Sequence, residues 1–217
     1  MKKKGLYLVF EGIVGSGKTT QAKLLVENLK RDFPGKEVVF TYEPGGSEIA
    51  DMIRFLVQGT RFKEEMDPVC ESYLYAASRA QTLRRIVRPV VDRGGVVIAD
   101  RNYISSVAYQ GVGRGLGFGE VIKINKVATE QIEPDKVFFF DIDLAEGIKR
   151  ARDLDGDKFE RMDVKFYEKV RSGYMYARKK FAGRWVTIDA SGSIDEVQMK
   201  VYSVVTKLLG RPQLFKK

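Results

Sequence analysis

GIVGSGKT, residues 12–19, fits the pattern G-x-x-x-x-G-K-[ST]. Its glycines let backbone N–H groups converge on phosphate oxygens, Lys18 neutralises their charge, and Thr19 can ligate Mg2+. The pattern is informative when a strand precedes it and a helix follows. Both are expected here: GLYLVFE (5–11) reads as a buried strand, and Ala22, Leu25, Leu29 and Phe33 recur at helical spacing. The alternative, an ordinary glycine turn, is rejected.

Working outward, EVVFTY (37–42) is a second strand, ended by the turn EPGG. Ile49, Met52, Ile53 and Leu56 then mark an amphipathic helix starting near Ser47, a suitable N-cap. After Pro68, residues Val69, Tyr73, Ala76, Ala80, Leu83 and Val87 form one apolar helical face, which Pro89 and Gly94-Gly95 are expected to close. GVVIAD (95–100), KVFFFDID (136–143) and RWVTID (184–189) read as strands covered on both faces. Strand-helix alternation of this kind implies a parallel sheet wrapped by helices, with ligands at the carboxyl ends of its strands.

The 217 residues, 44% hydrophobic and 31% charged, suit a single domain over residues 1–217 with a real core. With no histidine and Cys70 as the single cysteine, disulfides, Cys/His zinc sites and any histidine base are excluded. Cys70 is expected to be a buried or half-buried small side chain. The net charge of +9 points to an anionic partner, but its dispersion, apart from KKK and FKK at the ends, argues against a nucleic-acid groove. Glu11 interrupts the apolar stretch of MKKKGLYLVF too early for a signal peptide, and no run approaches a membrane span. A cytoplasmic protein is the expectation.

A phosphate loop alone leaves kinases, ATPases, GTPases and motors open. No obvious guanine-reading N-K-x-D appears, and the length leaves little room for a motor's lever, which favours a small kinase. DRNYISSVAYQGVGRG (100–115) adds an acid, two arginines, two tyrosines and Gln110 at the end of an expected strand. Asp100 is suited to hold Mg2+ through water, and Arg101 could bridge two phosphates with its planar fork. The competing reading of Asp-Arg is a surface ion pair.

These residues, with FEGIVGSGKTTQAKLL, TYEPGGSEIADMIR, YAASRAQ, ATEQIEPDKVFFFDID and IDASGS, cover most of the chain in order, and the sequence resembles the thymidylate kinase family. The resemblance implies a P-loop NTPase three-layer α/β/α sandwich: a five-stranded parallel sheet flanked by helices, with a short basic lid near 149–160. It also implies ATP as phosphoryl donor, Mg2+, dTMP as acceptor and a homodimer, with no membrane or nucleic-acid partner.

The resemblance assigns ATP to Gly12, Ile13, Val14, Gly15, Ser16, Gly17, Lys18, Thr19 and Thr20, and the metal to Thr19 and Asp100. On the acceptor side, Tyr75 stacks on thymine and Arg79 bonds a base oxygen. Ser105, Ser106 and Gln110 can present polar groups to the nucleotide, Ser106 near the base, Tyr109 packs against the sugar, Glu43 joins them, and Arg54 and Arg101 take the phosphate. Lys18, Arg101, Arg150, Arg152 and Lys158 supply catalytic positive charge, the last three from the lid.

Four residues depart from the family pattern. Val14 stands where an acid is common, Tyr42 where an arginine precedes E-P-G-G, Asn102 where an aromatic follows Asp-Arg, and Leu154 where some lids carry arginine. Val14 and Tyr42 keep open a related kinase acting on another monophosphate such as dUMP. The charge keeps open a nucleotide-gated nucleic-acid-binding module.

Overall fold

The computed structural model describes residues 5–59, 62–152 and 162–210. Its framework is one five-stranded sheet: β1 (Leu6–Glu11), β2 (Val38–Tyr42), β3 (Val96–Asp100), β4 (Lys136–Asp141) and β5 (Trp185–Asp189). All neighbours pair in parallel, in the order β2-β3-β1-β4-β5. The five expected strands form, but β5 is a partly exposed edge strand, with Thr187 and Asp189 open to solvent, and so is not covered on both faces.

Because side chains alternate along a strand, β1 sends Leu8 and Phe10 to one face and Tyr7 and Val9 to the other. On the first face, Leu8, Phe10, Ile98, Phe138 and Phe140 pack against α1 (Lys18–Asp32) through Ala22, Leu25 and Leu29. The same face packs against α9 (Ile194–Leu208) through Val197, Val201 and Val205. The second face is covered by α3 (Pro68–Thr82), a π turn over Leu83–Val87, α4 (Arg88–Asp92), α5 (Tyr103–Ser106), a π turn over Val107–Gly113, and α8 (Val164–Lys180). The result is the expected three-layer sandwich. Each fully buried Leu or Phe contributes roughly 1.5–3 kcal/mol, so the aromatic β4 is a large part of the core.

Two local expectations are corrected, those for Pro89 and Cys70, and the exposure of the apolar stripes is settled. Pro89 does not end the long helix, which runs on through α4 to Asp92; the wider i→i+5 turn at Leu83–Val87 gives the proline its room. The apolar stripes do not all face the core: Ile49, Met52 and Leu56 of α2 (Glu48–Gln58) are 59%, 62% and 40% exposed, and Val69 and Tyr73 of α3 are also open. Cys70, in the first turn of α3, is exposed. The face of α3 turned inward carries Ser72, Tyr75, Ser78 and Arg79 instead. Ser47 caps α2, its Oγ accepting from Ala50 N at 3.4 Å.

Candidate functional site

Strands β1 and β3 lie side by side at the centre of the sheet, with Phe10 in register with Asp100, so the loops after both strands open on one crevice. The first loop turns at Gly15 and Gly17, whose φ values of 68° and 81° suit glycine. A Cβ on Gly15 would also collide with Gly147 O of α7 (Leu144–Arg152), so that helix is seated directly on the phosphate loop. Gly17 caps α1 from the left-handed region, and Lys18 and Thr19 open the helix beneath its N-terminal N–H groups.

Lys18 is buried, and Nζ donates to Ile13 O at 2.7 Å and Ser16 Oγ at 3.1 Å. Burial, then the nearby Arg101 cation, lower its pKa from 10.5 to about 7; Asp100 and Glu11 pull the other way without cancelling them. Thr19 Oγ1 hydrogen-bonds Asp100 Oδ2, while Asp100 Oδ1 is buried without a partner. A buried carboxylate oxygen with no donor beside a threonine hydroxyl is a fit for a hard cation. No cluster of three or more acidic, cysteine or histidine side chains occurs among the described residues, so Thr19 and Asp100 would be only part of such a cation's shell.

Arg101 sits at φ 74°, a conformation costly for a non-glycine residue by about 1–3 kcal/mol. Its backbone is held by donation from Arg101 N to Phe10 O at 2.9 Å and from Asn102 N to Glu11 Oε1 at 2.9 Å. The guanidinium donates to Gly12 O (3.2 Å), Ser105 Oγ (3.0 Å), Tyr174 OH (3.0 Å) and Tyr109 OH (3.3 Å), and lies 5.1 Å from the Tyr109 ring centroid. Burial opposes its charge, but Tyr109, Tyr174, Asp100 and Glu11 hold its pKa well above the ordinary value. Arg101 therefore ties the end of β3 to the phosphate loop.

Beneath it, buried Glu11 accepts from Ser105 Oγ at 2.6 Å and Tyr174 OH at 2.9 Å. Its pKa is raised by burial, against the pull of Arg101 and these hydrogen bonds. Glu11 and Tyr174 were not singled out in the sequence. A carboxylate inside an otherwise apolar strand was the available signal for Glu11; nothing local marked Tyr174, which arrives on α8.

The second loop builds a narrower pocket lined by Val14, Glu43, Gln58, Tyr75, Arg79, Arg101, Ser105, Ser106, Tyr109 and Gln110. Eight of the nine residues assigned to the acceptor thus meet here. The ninth, Arg54, lines the adjoining cleft of about 740 Å³, together with Lys18, Thr19, Asp100 and Arg150. Val14, Glu43, Gln58 and Arg101 line both spaces. About 50 Å³ of the inner pocket is free.

Arg79 is 1% exposed: Nε donates to Glu43 Oε2 at 2.7 Å, Nη2 to Ser106 Oγ at 3.1 Å, and Nη1 to Asn125 Oδ1. Burial raises the pKa of Glu43, and Arg79 opposes that rise. Asn125, on α6 (Phe118–Thr129), anchors its own amide on Val121 O at 2.8 Å. It was missed in the sequence, where a lone asparagine within a helix reads as solvent-facing. Gln110 Nε2 donates to buried Glu71 at 2.9 Å, which also pairs with Arg114 at 3.3 Å. Asn102 serves as N-cap of α5, its Oδ1 accepting from Ile104 N at 2.8 Å, which accounts for a polar residue after Asp-Arg.

Arg150 pairs with Glu146 at 2.8 Å on the exposed side of α7 and reaches the outer cleft. Arg152 ends α7, and Leu154 and Lys158 lie outside the described residues. After β5, Ala190, Gly192 and Ile194 close the far side of the outer cleft.

Comparison with known proteins agrees with this architecture. The family model described as Thymidylate kinase matches residues 10–201. A Lactobacillus acidophilus protein named thymidylate kinase is 40% identical over 96% of this chain and 95% of its own length. A Bacillus licheniformis protein of the same name is 38% identical over 97% and 99%. The crystal structure of thymidylate kinase from Ehrlichia chaffeensis superposes with a TM-score of 0.76 at 30% identity, covering 94% of this chain and 99% of that one.

Proposed function

The chain belongs to the thymidylate kinase family, and from that premise we propose that it transfers the γ-phosphoryl group of ATP to dTMP, giving dTDP and ADP. The observation that carries this reading is the pair of adjoining spaces with Arg101 among the residues that line both. The outer one suits a triphosphate on the glycine loop; the inner one, with its aromatic and hydrogen-bonding lining, suits a nucleoside monophosphate.

The acceptor phosphate is already ionised at neutral pH, so the lack of histidine costs the reaction nothing. What the chain must provide is alignment and positive charge. Lys18 and the α1 N-terminus hold the donor phosphates. Arg101, fixed by Gly12, Ser105, Tyr109 and Tyr174, presents charge between donor and acceptor, and Arg54 anchors the acceptor phosphate. Arg150, with Arg152 and Lys158 of the lid, adds charge and excludes water from the outer side.

Tyr75 and Arg79 take the base, with Ser106 and Gln110 beside it. Ser105 and Tyr109 act chiefly through Arg101, and Glu43 through Arg79. Thr19 and Asp100 would hold Mg2+, which when bound supplies neutralisation of phosphate charge.

We also assign a homodimer to the face made by α2, α3 and α6. Ile49, Met52, Phe55, Tyr73 and Val127 are exposed there, Val127 by 77%, beside a shallow groove between α3 and α6. Apolar side chains so grouped favour a self-complementary interface. No helix among the described residues is long and apolar enough to cross a membrane; use of ATP and dTMP supports a cytoplasmic setting.

The deciding experiment follows ADP formation from ATP and Mg2+ with the monophosphates of thymidine, deoxyuridine, uridine, cytidine, guanosine and adenosine, and with no acceptor. Strong preference for dTMP is expected. Preference for another nucleotide, or equal ADP release without acceptor, would overturn the assignment.

A further inference from the structure

Arg54, in the middle of α2, lines the outer cleft, and so does Tyr42 at the end of β2. The guanidinium carbon lies 5.4 Å from the Tyr42 ring centroid, within cation–π range. One of its N–H groups, on Nη1, donates to Pro44 O at 2.9 Å. The tyrosine is itself tied down: its hydroxyl donates to Asp51 Oδ1 at 2.9 Å, and the same oxygen accepts Gly46 N at 2.9 Å. Asp51 lies three residues before Arg54, on the same helix, so the β2 end, the EPGG turn and α2 are joined around one carboxylate.

We propose that Tyr42 is the positioning residue for Arg54, an aromatic platform that fixes its guanidinium to receive the acceptor's phosphate. Tyr42 occupies the position where the family resemblance leads one to expect arginine. The ring contributes no charge to the phosphate; it restricts the rotamers of a flexible cation and shields one of its faces from water, so less freedom is lost when the phosphate binds. Pro44 O fixes one edge of the fork and Tyr42 one face, leaving the remaining N–H groups for phosphate oxygens. A single arginine held in place thereby takes over work otherwise divided between two. This inference rests on the reading of Arg54 as the phosphate anchor.

The test is a double-mutant cycle on binding, with dTMP and thymidine as ligands, titrated into the Mg2+-containing enzyme, and with kcat and KM for dTMP measured alongside. Arg54→Ala should weaken dTMP about tenfold or more while sparing thymidine, which has no phosphate. Tyr42→Leu should weaken dTMP roughly three- to tenfold, raise KM more than it lowers kcat, and also spare thymidine. Tyr42→Phe keeps the platform and should retain most of the affinity, which guards against a Leu variant that folds poorly. In the Arg54→Ala background, Tyr42→Leu should add nothing. If Tyr42→Leu weakens dTMP equally with and without Arg54, or weakens thymidine as much as dTMP, Tyr42 does not act through Arg54. If Arg54→Ala leaves dTMP affinity intact, the anchor reading itself fails, and Tyr42's role fails with it; normal dTMP affinity in Tyr42→Leu with a weakened Arg54→Ala overturns the Tyr42 proposal alone.

Discussion

The Thr19 hydroxyl hydrogen-bonds one oxygen of Asp100, and the other oxygen of that carboxylate is buried with no donor at all. Thr19 comes from the phosphate loop and Asp100 from the end of β3, so the half-satisfied carboxylate lies where the two loops meet. A buried acceptor left open costs about 1–3 kcal/mol, a cost that suits a group completed by a ligand.

Asp100→Asn retains the shape and an acceptor for Thr19 but removes the charge. It should reduce kcat by about a hundredfold or more, raise the Mg2+ concentration needed for half-maximal rate, and leave the folded spectrum unchanged. Steady-state rates across a Mg2+ series check this; an unaltered Mg2+ dependence would contradict the assignment.

Lys18 gives a prediction about protons. With its pKa lowered to about 7, it is largely neutral in the ligand-free enzyme above that pH, and phosphate anions favour its charged form. ATP binding near pH 8.5 should therefore take up about one proton, and the uptake should shrink as pH falls through 7. Calorimetry in buffers of different ionisation enthalpy measures it. Lys18→Ala should abolish the uptake and lower kcat by about a hundredfold or more.

The same lowered pKa bears on stability with a definite sign. Between about 7 and 10.5 the unfolded chain binds the Lys18 proton and the folded chain does not, so this group's contribution to stability rises with pH across that window. Lys18→Met should raise Tm of the ligand-free protein at pH 6.5 and do so by less at pH 10, as thermal denaturation at the two pH values would reveal.

Asn125→Ala leaves one Arg79 N–H without its acceptor in a site closed to water. KM for dTMP should rise about tenfold, with a smaller change in kcat. Asn125→Asp, which keeps an acceptor in place, should recover part of the loss; equal damage by both variants would mean that the asparagine serves packing alone.

Met52→Glu places a charge in the exposed apolar face of α2. Sedimentation should then show the 24.6 kDa chain as a monomer, against a dimer of twice that mass for the unaltered protein. A monomeric unaltered protein would remove the interface assigned to this face.

The strands and the glycine loop were legible because their signals are local: short runs of Val, Ile and Phe, and a motif whose spacing suits a phosphate. The residues assigned to the acceptor came from the family resemblance alone, and the structure brings Tyr75, Arg79, Ser106 and Gln110 together in one pocket. What the sequence concealed is how they are held. Glu11, Tyr174 and Asn125 act across 91, 163 and 46 positions of chain, respectively, on Asn102, Glu11 and Arg79, separations at which no periodicity speaks. What covers the stripe of α2 stayed open for a different reason: helical periodicity reports that a face is apolar, not whether a sheet or another subunit covers it.

The register that sets Phe10 opposite Asp100 has a consequence for how the enzyme fails. Both reacting loops hang from neighbouring inner strands, each buried on its two sides, so they cannot drift apart while the sheet persists. Loss of activity on heating should accordingly coincide with melting of the whole sheet rather than precede it.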